Sequence, residues 1–184
     1  MGHLHEAAGP GVLLPGHRGQ SPRFLWIGCS GCRVLADTIT GTKPGQMFIH
    51  RNIANTVVHT DLNLLSVLTY AMEVLEAEHA IACGHAECGG ARAAMSPQDL
   101  DQFNHWLRNI KGVCAAHCEE LQAMPSVQDR GYRLLELHAM EQVKKLAATA
   151  IIQRAWAKRR GPRLHAVQSM APDSPVPAPY ALSL

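Results

Sequence analysis

Residues 24–32 read FLWIGCSGC, a short apolar run that ends in a pair of cysteines. A continuous apolar run of this length, residues 24–28, predicts a strand that is buried on both faces. Two further runs, residues 47–50 and 79–83, predict strands of the same kind, and the second leads into CGHAECGG at residues 83–90. Cysteines and a histidine therefore follow two of the predicted strands, which places the candidate chemistry at strand ends.

A helix is expected between the second and third strands. Asp61 is a suitable N-cap, and the apolar residues that follow keep helical spacing. They are Leu64, Leu65, Leu68, Ala71, Met72 and Leu75. Residues 97–124 and 127–160 carry helical patterns with few interruptions, and residues 164–167 predict one last short strand. This alternation predicts an α/β fold with a mainly parallel sheet and flanking helices.

Length and composition indicate one folded domain with less ordered ends. The chain has 184 residues, of which 47% are hydrophobic and 17% charged, and this suits a single sizeable core. Residues 1–22 are rich in glycine and proline and predict a flexible N-terminal arm. Residues 23–168 are predicted to form the single domain, and residues 169–184 a proline-rich tail that is extended or disordered.

Charge and hydropathy argue against several classes of partner. The net charge of +2 is too small to favour nucleic acid, and no apolar stretch approaches the roughly 20 residues of a membrane helix. The first residues, MGHLHEAAGPG, show no apolar core after a basic segment, so a secretory signal is not expected. We therefore expect a cytoplasmic protein whose six cysteines serve as ligands or thiols and form no disulfide framework.

The two cysteine clusters are expected to meet in space. The carboxyl ends of neighbouring parallel strands lie at one edge of a sheet, so Cys29 and Cys32 should lie near His85 and Cys88. Thiolate and imidazole are the ligands that zinc prefers. The sequence therefore predicts that a zinc site can form at this edge.

Spacing alone leaves three interpretations of these four residues open. A closed structural site would use all four as zinc ligands, whereas a catalytic site would use three and leave one position for water. A dithiol redox pair would use only Cys29 and Cys32. The remaining cysteines, Cys83, Cys114 and Cys118, are interpreted as small buried apolar residues.

Four runs of the sequence carry a resemblance to a known family. They read FLWIGCSGCRV from residue 24, KPGQMFIHRNIAN from residue 43, HTDLNLLSVLTYAMEVL from residue 59 and HAIACGHAECGGARAA from residue 79. In their order and spacing they resemble the β-class carbonic anhydrases, over about residues 19–160. The resemblance implies that Cys29, His85 and Cys88 hold Zn²⁺. It also implies reversible hydration of carbon dioxide to bicarbonate by a zinc-bound hydroxide.

The sequence departs from this family at one catalytic position. The family carries a C-x-D-x-R motif, whose Asp is paired with an Arg beside the metal. Gly31 stands where that Asp belongs, while Arg33 matches the Arg. Loss of such a partner typically costs 10- to 100-fold in metal affinity or activity. The resemblance therefore implies a weak carbonic anhydrase, or alternatively a catalytically silent zinc-binding homologue that binds bicarbonate or a partner protein.

Other residues match the family's substrate pocket. Gln20 matches a Gln that donates a hydrogen bond to the substrate, and Phe48 and Tyr70 match aromatic residues that form an apolar carbon dioxide pocket across the dimer interface. Gly89 and Gly90 permit close approach of the backbone to a small ligand. The resemblance thus implies a homodimer or a higher even oligomer.

Some members of the family also carry a second bicarbonate pocket, which is built from a Trp, an Arg and a Tyr. Trp26 and Arg51 match the first two of these residues, and no Tyr matches the third.

Overall fold

The computed structural model describes residues 21–33, 35–158 and 161–169, and the backbone of residues 182–183. A five-stranded sheet forms the centre of this part of the chain. Its strands are β1 (Phe24–Cys29), β2 (Met47–Asn52), β3 (His79–His85), β4 (Arg163–Ser169) and β5 (Leu182–Ser183). All four strands expected from the apolar runs are present, and each is longer than its run.

The strand order places both cysteine clusters at one edge of the sheet. The order is β2-β1-β3-β4-β5, and the first four strands are parallel. Cys29 is paired in register with Asn52, and His85 with Ser169, at the carboxyl ends of their strands. β5 pairs antiparallel with β4 and lies in the tail expected to be extended or disordered. The prediction of a mainly parallel α/β fold is confirmed.

Seven helices and one short 3-10 turn flank the sheet in the described residues. The helices are α1 (Ala36–Thr40), α2 (Leu62–Glu73), α3 (Gly89–Met95), α4 (Gln102–Ala116), α5 (Cys118–Gln122), α6 (Val127–Ala148) and α7 (Ala150–Ala157). The 3-10 turn, Ile53–Asn55, directly follows β2. Asp61 caps α2 as expected, because its side chain accepts from the backbone N–H groups of Asn63 and Leu64.

The two long helical stretches are more divided than the sequence pattern suggests. Residues 97–101 lie outside any helix, and the stretch that follows changes from α4 to α5 at His117. The next stretch breaks at Thr149, whose backbone is extended and whose hydroxyl accepts from the N–H of Ile152. A Thr that caps a helix start competes with continuation of the preceding helix, which explains why apolar spacing alone does not show the break.

The larger core lies between one face of the sheet and helices α2, α6 and α7. Fully buried residues on the sheet side include Leu25, Ile27 and Leu164. The opposite face carries a smaller cluster around Trp26, which is 3% exposed. No helix in the described residues is long and apolar enough to cross a membrane.

The three remaining cysteines differ in burial. Cys83 is buried, and burial raises the pKa of its thiol to about 12. Cys114 is half-buried, but Cys118 is exposed at the start of α5. The expectation of three buried cysteines is therefore correct for Cys83 and wrong for Cys118.

Candidate metal centre

Three side chains meet at the carboxyl edge of the sheet with the spacing of zinc ligands. The ligand atoms of Cys29, His85 and Cys88 all lie within 4.8 Å of one another. The two sulfur atoms are 3.9 Å apart. A tetrahedral ion with Zn–S distances near 2.3 Å places two sulfurs about 3.8 Å apart. The sulfurs are therefore already at the separation that zinc requires.

Each of the three residues is positioned by the end of a strand or the start of a helix. Cys29 is the last residue of β1 and His85 the last of β3, and Cys88 directly precedes α3. Between His85 and Cys88 the chain turns sharply at Glu87, where φ is +57°. This turn brings a second sulfur to the edge of the sheet only three positions after the imidazole.

The imidazole of His85 gives an independent indication of a metal. Its Nε2 atom is buried, and no hydrogen-bond partner for it is found among the described residues. Buried polar atoms in proteins are nearly always paired, so an unpaired one calls for an explanation. A metal ion between the two sulfurs and this nitrogen would supply the missing partner, and the donor set is the one that zinc prefers.

The sulfur of Cys29 is prepared to carry negative charge. It is close enough to the Cys88 thiol for a hydrogen bond, and it accepts the backbone N–H groups of Gly31 at 3.3 Å and Ala54 at 3.2 Å. These contacts, the Cys88 thiol foremost, lower the pKa of Cys29 below its usual value. A thiolate is the form that binds metal, so the metal-binding form of Cys29 is favoured before any ion enters.

Cys32 is not part of the three-residue group. The peptide segment that contains it is held by Arg51, whose Nη1 donates to the carbonyl oxygens of Cys29 at 3.3 Å and Cys32 at 3.1 Å. By resemblance, Arg51 matches the Arg of a second bicarbonate pocket whose Tyr has no match in this sequence. In the structure, Arg51 holds the loop that carries Cys29. A dithiol redox pair would require the Cys29 sulfur to be grouped with Cys32. In the described residues it is grouped with His85 and Cys88 instead.

Gly31 lies directly beside the ligands. A Cβ atom built on Gly31 would be 3.7 Å from the Cys29 sulfur and 4.0 Å from Nε2 of His85, which is ordinary contact distance. A Cβ atom at this position is thus sterically accepted next to the metal centre. The side chain of Arg33 is exposed and forms no hydrogen bond or ion pair with another described residue.

The two glycines after Cys88 differ in their surroundings. Gly89 is exposed, and no atom lies within 4 Å of a Cβ built on it. Gly90 is buried, and a Cβ there would lie 3.1 Å from both Ile53 and Ala54. Gly90 therefore allows α3 to pack closely against the 3-10 turn, while Gly89 faces open space one residue after Cys88. Gln20 lies outside the described residues.

Phe48 and Tyr70 pack against each other but not against the metal centre of their own chain. Their ring centroids are 5.7 Å apart. Phe48 is paired in register with Leu25, four residues before Cys29, so it lies about 13 Å from the ligand along the strand direction. Tyr70 is 47% exposed on α2. Within one chain, these aromatic rings and the ligands form separate groups.

Sequence reasoning missed the buried residues that support the metal centre through hydrogen bonds. Ala54 donates to Cys29, and α6 contributes His138 and Gln142, which are 2% and 0% exposed. His138 lies at least fifty positions from Cys29, His85 and Cys88 along the chain, so spacing gives no signal for it. The only available signal is a polar pair four positions apart on an otherwise apolar helix face. Burial lowers the pKa of His138 to about 4.

The fold and the site together define a class of protein: a parallel α/β protein with two cysteines and one histidine grouped for a metal at the carboxyl edge of its sheet. Residues 24–171 match the family model described as carbonic anhydrase. The chain belongs to the carbonic anhydrase family. The resemblance noted from the sequence is thereby confirmed at the level of the family.

Individual relatives agree with this assignment. A carbonic anhydrase of Emericella nidulans is 44% identical over 147 residues, which are 80% of this chain and 64% of that protein. One of Candida albicans is 37% identical over 133 residues, 70% of this chain and 46% of that protein. The chain thus spans less than two thirds of the length of these curated relatives.

Solved structures of relatives show the same fold. One of two tetrameric β-carbonic anhydrases from Sordaria macrospora is 40% identical with a TM-score of 0.79, covering 83% of this chain and 77% of that one. The β-carbonic anhydrase CafA of Aspergillus fumigatus is 32% identical with a TM-score of 0.83, covering 95% and 81%. The α/β fold with its parallel sheet is therefore the fold of the β-carbonic anhydrases.

Proposed function

We propose that this protein is a zinc-dependent carbonate dehydratase that catalyses the reversible hydration of carbon dioxide to bicarbonate. The observation that carries the proposal is the group of Cys29, His85 and Cys88. Its two sulfurs are 3.9 Å apart, and its buried imidazole nitrogen has no hydrogen-bond partner in the part of the chain that the structure describes. Three protein ligands mark a catalytic zinc site, because the fourth position is kept for water or substrate.

When bound, zinc supplies a Lewis acid that lets water act as a nucleophile near neutral pH. Cys29, His85 and Cys88 would hold the ion, and the N–H groups of Gly31 and Ala54 would draw charge from the Cys29 sulfur. Cys29 and Cys88 are both buried, which shields the two sulfurs from bulk water. Gly89 leaves room for a small substrate at the mouth of the site.

The proposed enzyme is weaker than a relative with a carboxylate at position 31. Gly31 offers no side-chain acceptor to orient the attacking water, and Arg33 has no ion-pair partner among the described residues. This same observation favours one alternative, a catalytically silent homologue that holds zinc and binds bicarbonate or a partner protein.

Stopped-flow measurement of carbon dioxide hydration on zinc-loaded protein tests the activity. We expect a rate above the uncatalysed reaction that disappears in the matched variant Cys88→Ser. A zinc-loaded wild type with no activity above this variant at any pH would favour the silent homologue. Insulin reduction, measured on the same samples, would detect a dithiol activity that the proposal does not include.

We further propose that Cys32 stays off the metal. The observation that supports this is the grouping of Cys29 with His85 and Cys88, without Cys32. X-ray absorption at the zinc edge should show two sulfur neighbours, and Cys32→Ser should retain one zinc ion per chain. Three sulfur neighbours would instead support the closed structural site and remove the catalytic interpretation.

We propose a homodimer as the smallest active species. β2 is an edge strand in the described sheet, and large apolar side chains are exposed on and next to it: Ile49 is 42%, Ile53 41% and Tyr70 47% exposed. An exposed apolar edge of this kind is typical of an interface. An obligate dimer would bury on the order of 2,000 Å² or more. A cytoplasmic location stays a prediction from the sequence.

A further inference from the structure

The 3-10 turn after β2 has an unusual backbone. Ala54 and Asn55 both have positive φ, +60° and +46°, although neither is a glycine. Consecutive residues with side chains adopt this left-handed conformation rarely, and only where their surroundings enforce it. Both residues are 1% exposed. The turn is therefore held in its shape by buried contacts.

The shape of this turn determines one contact of the metal centre. The N–H of Ala54 donates to the Cys29 sulfur at 3.2 Å. On its other side, Ala54 contacts the start of α3 next to Gly90, directly after the ligand Cys88. A change in the conformation of Ala54 would thus turn an N–H group away from one ligand and disturb the helix that begins beside another.

Two buried side chains of α6 attach the turn to the protein core. Nε2 of His138 lies 2.9 Å from the carbonyl oxygen of Ala54. One helical turn later, Oε1 of Gln142 accepts the N–H of Val57 at 2.7 Å. His138 therefore holds the turn at Ala54, and Gln142 holds the chain at Val57, two residues after the turn ends.

The same pair fixes its own hydrogen-bond directions. Nε2 of Gln142 donates to Nδ1 of His138 at 3.2 Å and to its carbonyl oxygen at 3.1 Å. Nδ1 is therefore the acceptor, so the ring proton is on Nε2 and points to Ala54. Every polar atom of the pair has a partner. A fully satisfied buried network of this kind holds one geometry firmly.

We propose that His138 and Gln142 are positioning residues for the metal centre, which keep the N–H of Ala54 aimed at the Cys29 sulfur. Two thiolates cancel the charge of a divalent ion, so an N–H group that draws charge from one of them leaves the metal a stronger Lewis acid. The effect on catalysis rests on the proposed carbonic anhydrase function. The effect on metal binding does not.

The test compares His138→Met, His138→Gln and Ile152→Val in the full chain. Met removes the donor to Ala54, whereas Gln places an N–H at a similar distance from the backbone and is the rescue variant. Ile152 lies on α7 and is fully buried in the larger core. Ile152→Val therefore lowers stability without removing any contact of the 3-10 turn. Each protein is loaded with cobalt for its sulfur-to-metal absorption band and with zinc for competition with a chelator.

We expect His138→Met to shift the cobalt band to lower energy and to weaken zinc binding about 10-fold or more, with the pH midpoint of hydration moved upward. His138→Gln should remain close to wild type, and Ile152→Val should change none of these readouts. Equal bands and affinities in His138→Met and Ile152→Val, or no rescue by His138→Gln, would overturn the proposal. If His138→Met does not fold, Gln142→Met takes its place with the same expected outcomes.

The two proposals fail in different ways. One outcome is that the cobalt band and the zinc affinity respond as expected but the wild type hydrates no carbon dioxide. This result would support the positioning role of His138 and Gln142 and contradict the proposed activity. The other outcome is that the wild type is active while His138→Met and Ile152→Val have the same cobalt band, zinc affinity and pH midpoint of hydration. This result would support the activity and contradict the positioning role.

Discussion

The charge balance at the metal centre depends on small groups next to each ligand. Two thiolates and one neutral imidazole leave a divalent ion with no net charge, so neighbouring donors decide how strongly it acts as a Lewis acid. At Cys29 these donors are backbone N–H groups, of Gly31 and Ala54. Backbone donors survive most substitutions, whereas a carboxylate at position 31 depends on one side chain. With Gly at position 31, the two backbone N–H donors to the Cys29 sulfur are still present.

Cys88→Ser should abolish zinc binding. A hydroxyl is a poor substitute for a thiolate in a soft donor set, and two ligands do not hold zinc against a chelator. Metal analysis of reduced, purified protein should give one zinc ion per wild-type chain and almost none in the variant. Cys118→Ser is the matched control, because Cys118 is exposed and lies outside the ligand group. An unchanged zinc content in Cys88→Ser would contradict the assignment of the ligands.

Gly31→Asp should raise the rate of carbon dioxide hydration about 10-fold or more, since restoring a lost partner of a metal site reverses a cost of that size. A Cβ at this position meets the Cys29 sulfur and Nε2 of His85 only at 3.7 and 4.0 Å, so the first atom of the new side chain fits. It would offer an acceptor to the attacking water. Rates should be compared at neutral and alkaline pH, because at low pH the carboxylate can itself bind the metal.

The same carboxylate should become coupled to Arg33. In the parent chain Arg33→Ala should change the rate little, because Arg33 has no ion-pair partner among the described residues. In the Gly31→Asp background it should cost much more, and a double-mutant cycle measures the difference. A folded, zinc-loaded Gly31→Asp protein that is no faster at any pH would show that the missing carboxylate is not the defect.

At the scale of residues, the grouping of two cysteines and one histidine could be predicted from the sequence, and the residues that support this group could not. Cys29, His85 and Cys88 follow apolar strands directly, and parallel strands bring their carboxyl ends together wherever the fold forms. Arg51 and His138 act through backbone carbonyls of distant residues. Such contacts depend on three-dimensional placement and leave no periodic or local pattern in the chain.

At the scale of elements, apolar runs located the strands, but polar contacts set several boundaries of helices. The break between α6 and α7 follows from the capping contact of Thr149, and the 3-10 turn depends on α6 for its anchors. Short elements such as α1 and α3 contain too few residues to show a helical period. The formation of these short helices depends on the structure around them, so the sequence pattern predicts them poorly.

Stability at acid pH should depend on α6 through His138. Burial lowers its pKa from the usual 6.5 to about 4 in the folded chain. Between these values the unfolded chain takes up a proton that the folded chain does not, so the free energy of unfolding falls as the pH drops through this window. The complete loss is on the order of 3 kcal/mol.

His138→Gln should therefore flatten the dependence of stability on pH between 6.5 and 4, and should leave its slope above 6.5 unchanged. Urea unfolding at a series of pH values measures the slope. His105→Gln replaces an exposed histidine and should retain the slope of wild type. If the two variants show equal slopes in this window, His138 does not stay neutral in the folded protein.

At the scale of the whole molecule, the metal centre and the aromatic pair of Phe48 and Tyr70 lie apart within one chain. Phe48 lies about 13 Å from Cys29 along the sheet, and it packs on Tyr70 at the exposed edge that β2 forms. If these rings form a substrate pocket, the metal centre that they complete must belong to another subunit. Separation within a chain and exposure at an edge are the observations that favour a shared site.

Mixing two inactive variants tests whether the site is shared. Tyr70→Ala should bind zinc but hydrate carbon dioxide poorly, and Cys88→Ser should lack zinc but retain Tyr70. After unfolding and refolding an equal mixture, half of the dimers should be mixed, and each of these should hold one complete site, so about a quarter of wild-type activity should return. Light scattering on each variant confirms that it still forms dimers. If Tyr70 served the metal centre of its own chain, no mixed dimer would contain a complete site, and activity would not rise above that of the variants measured separately.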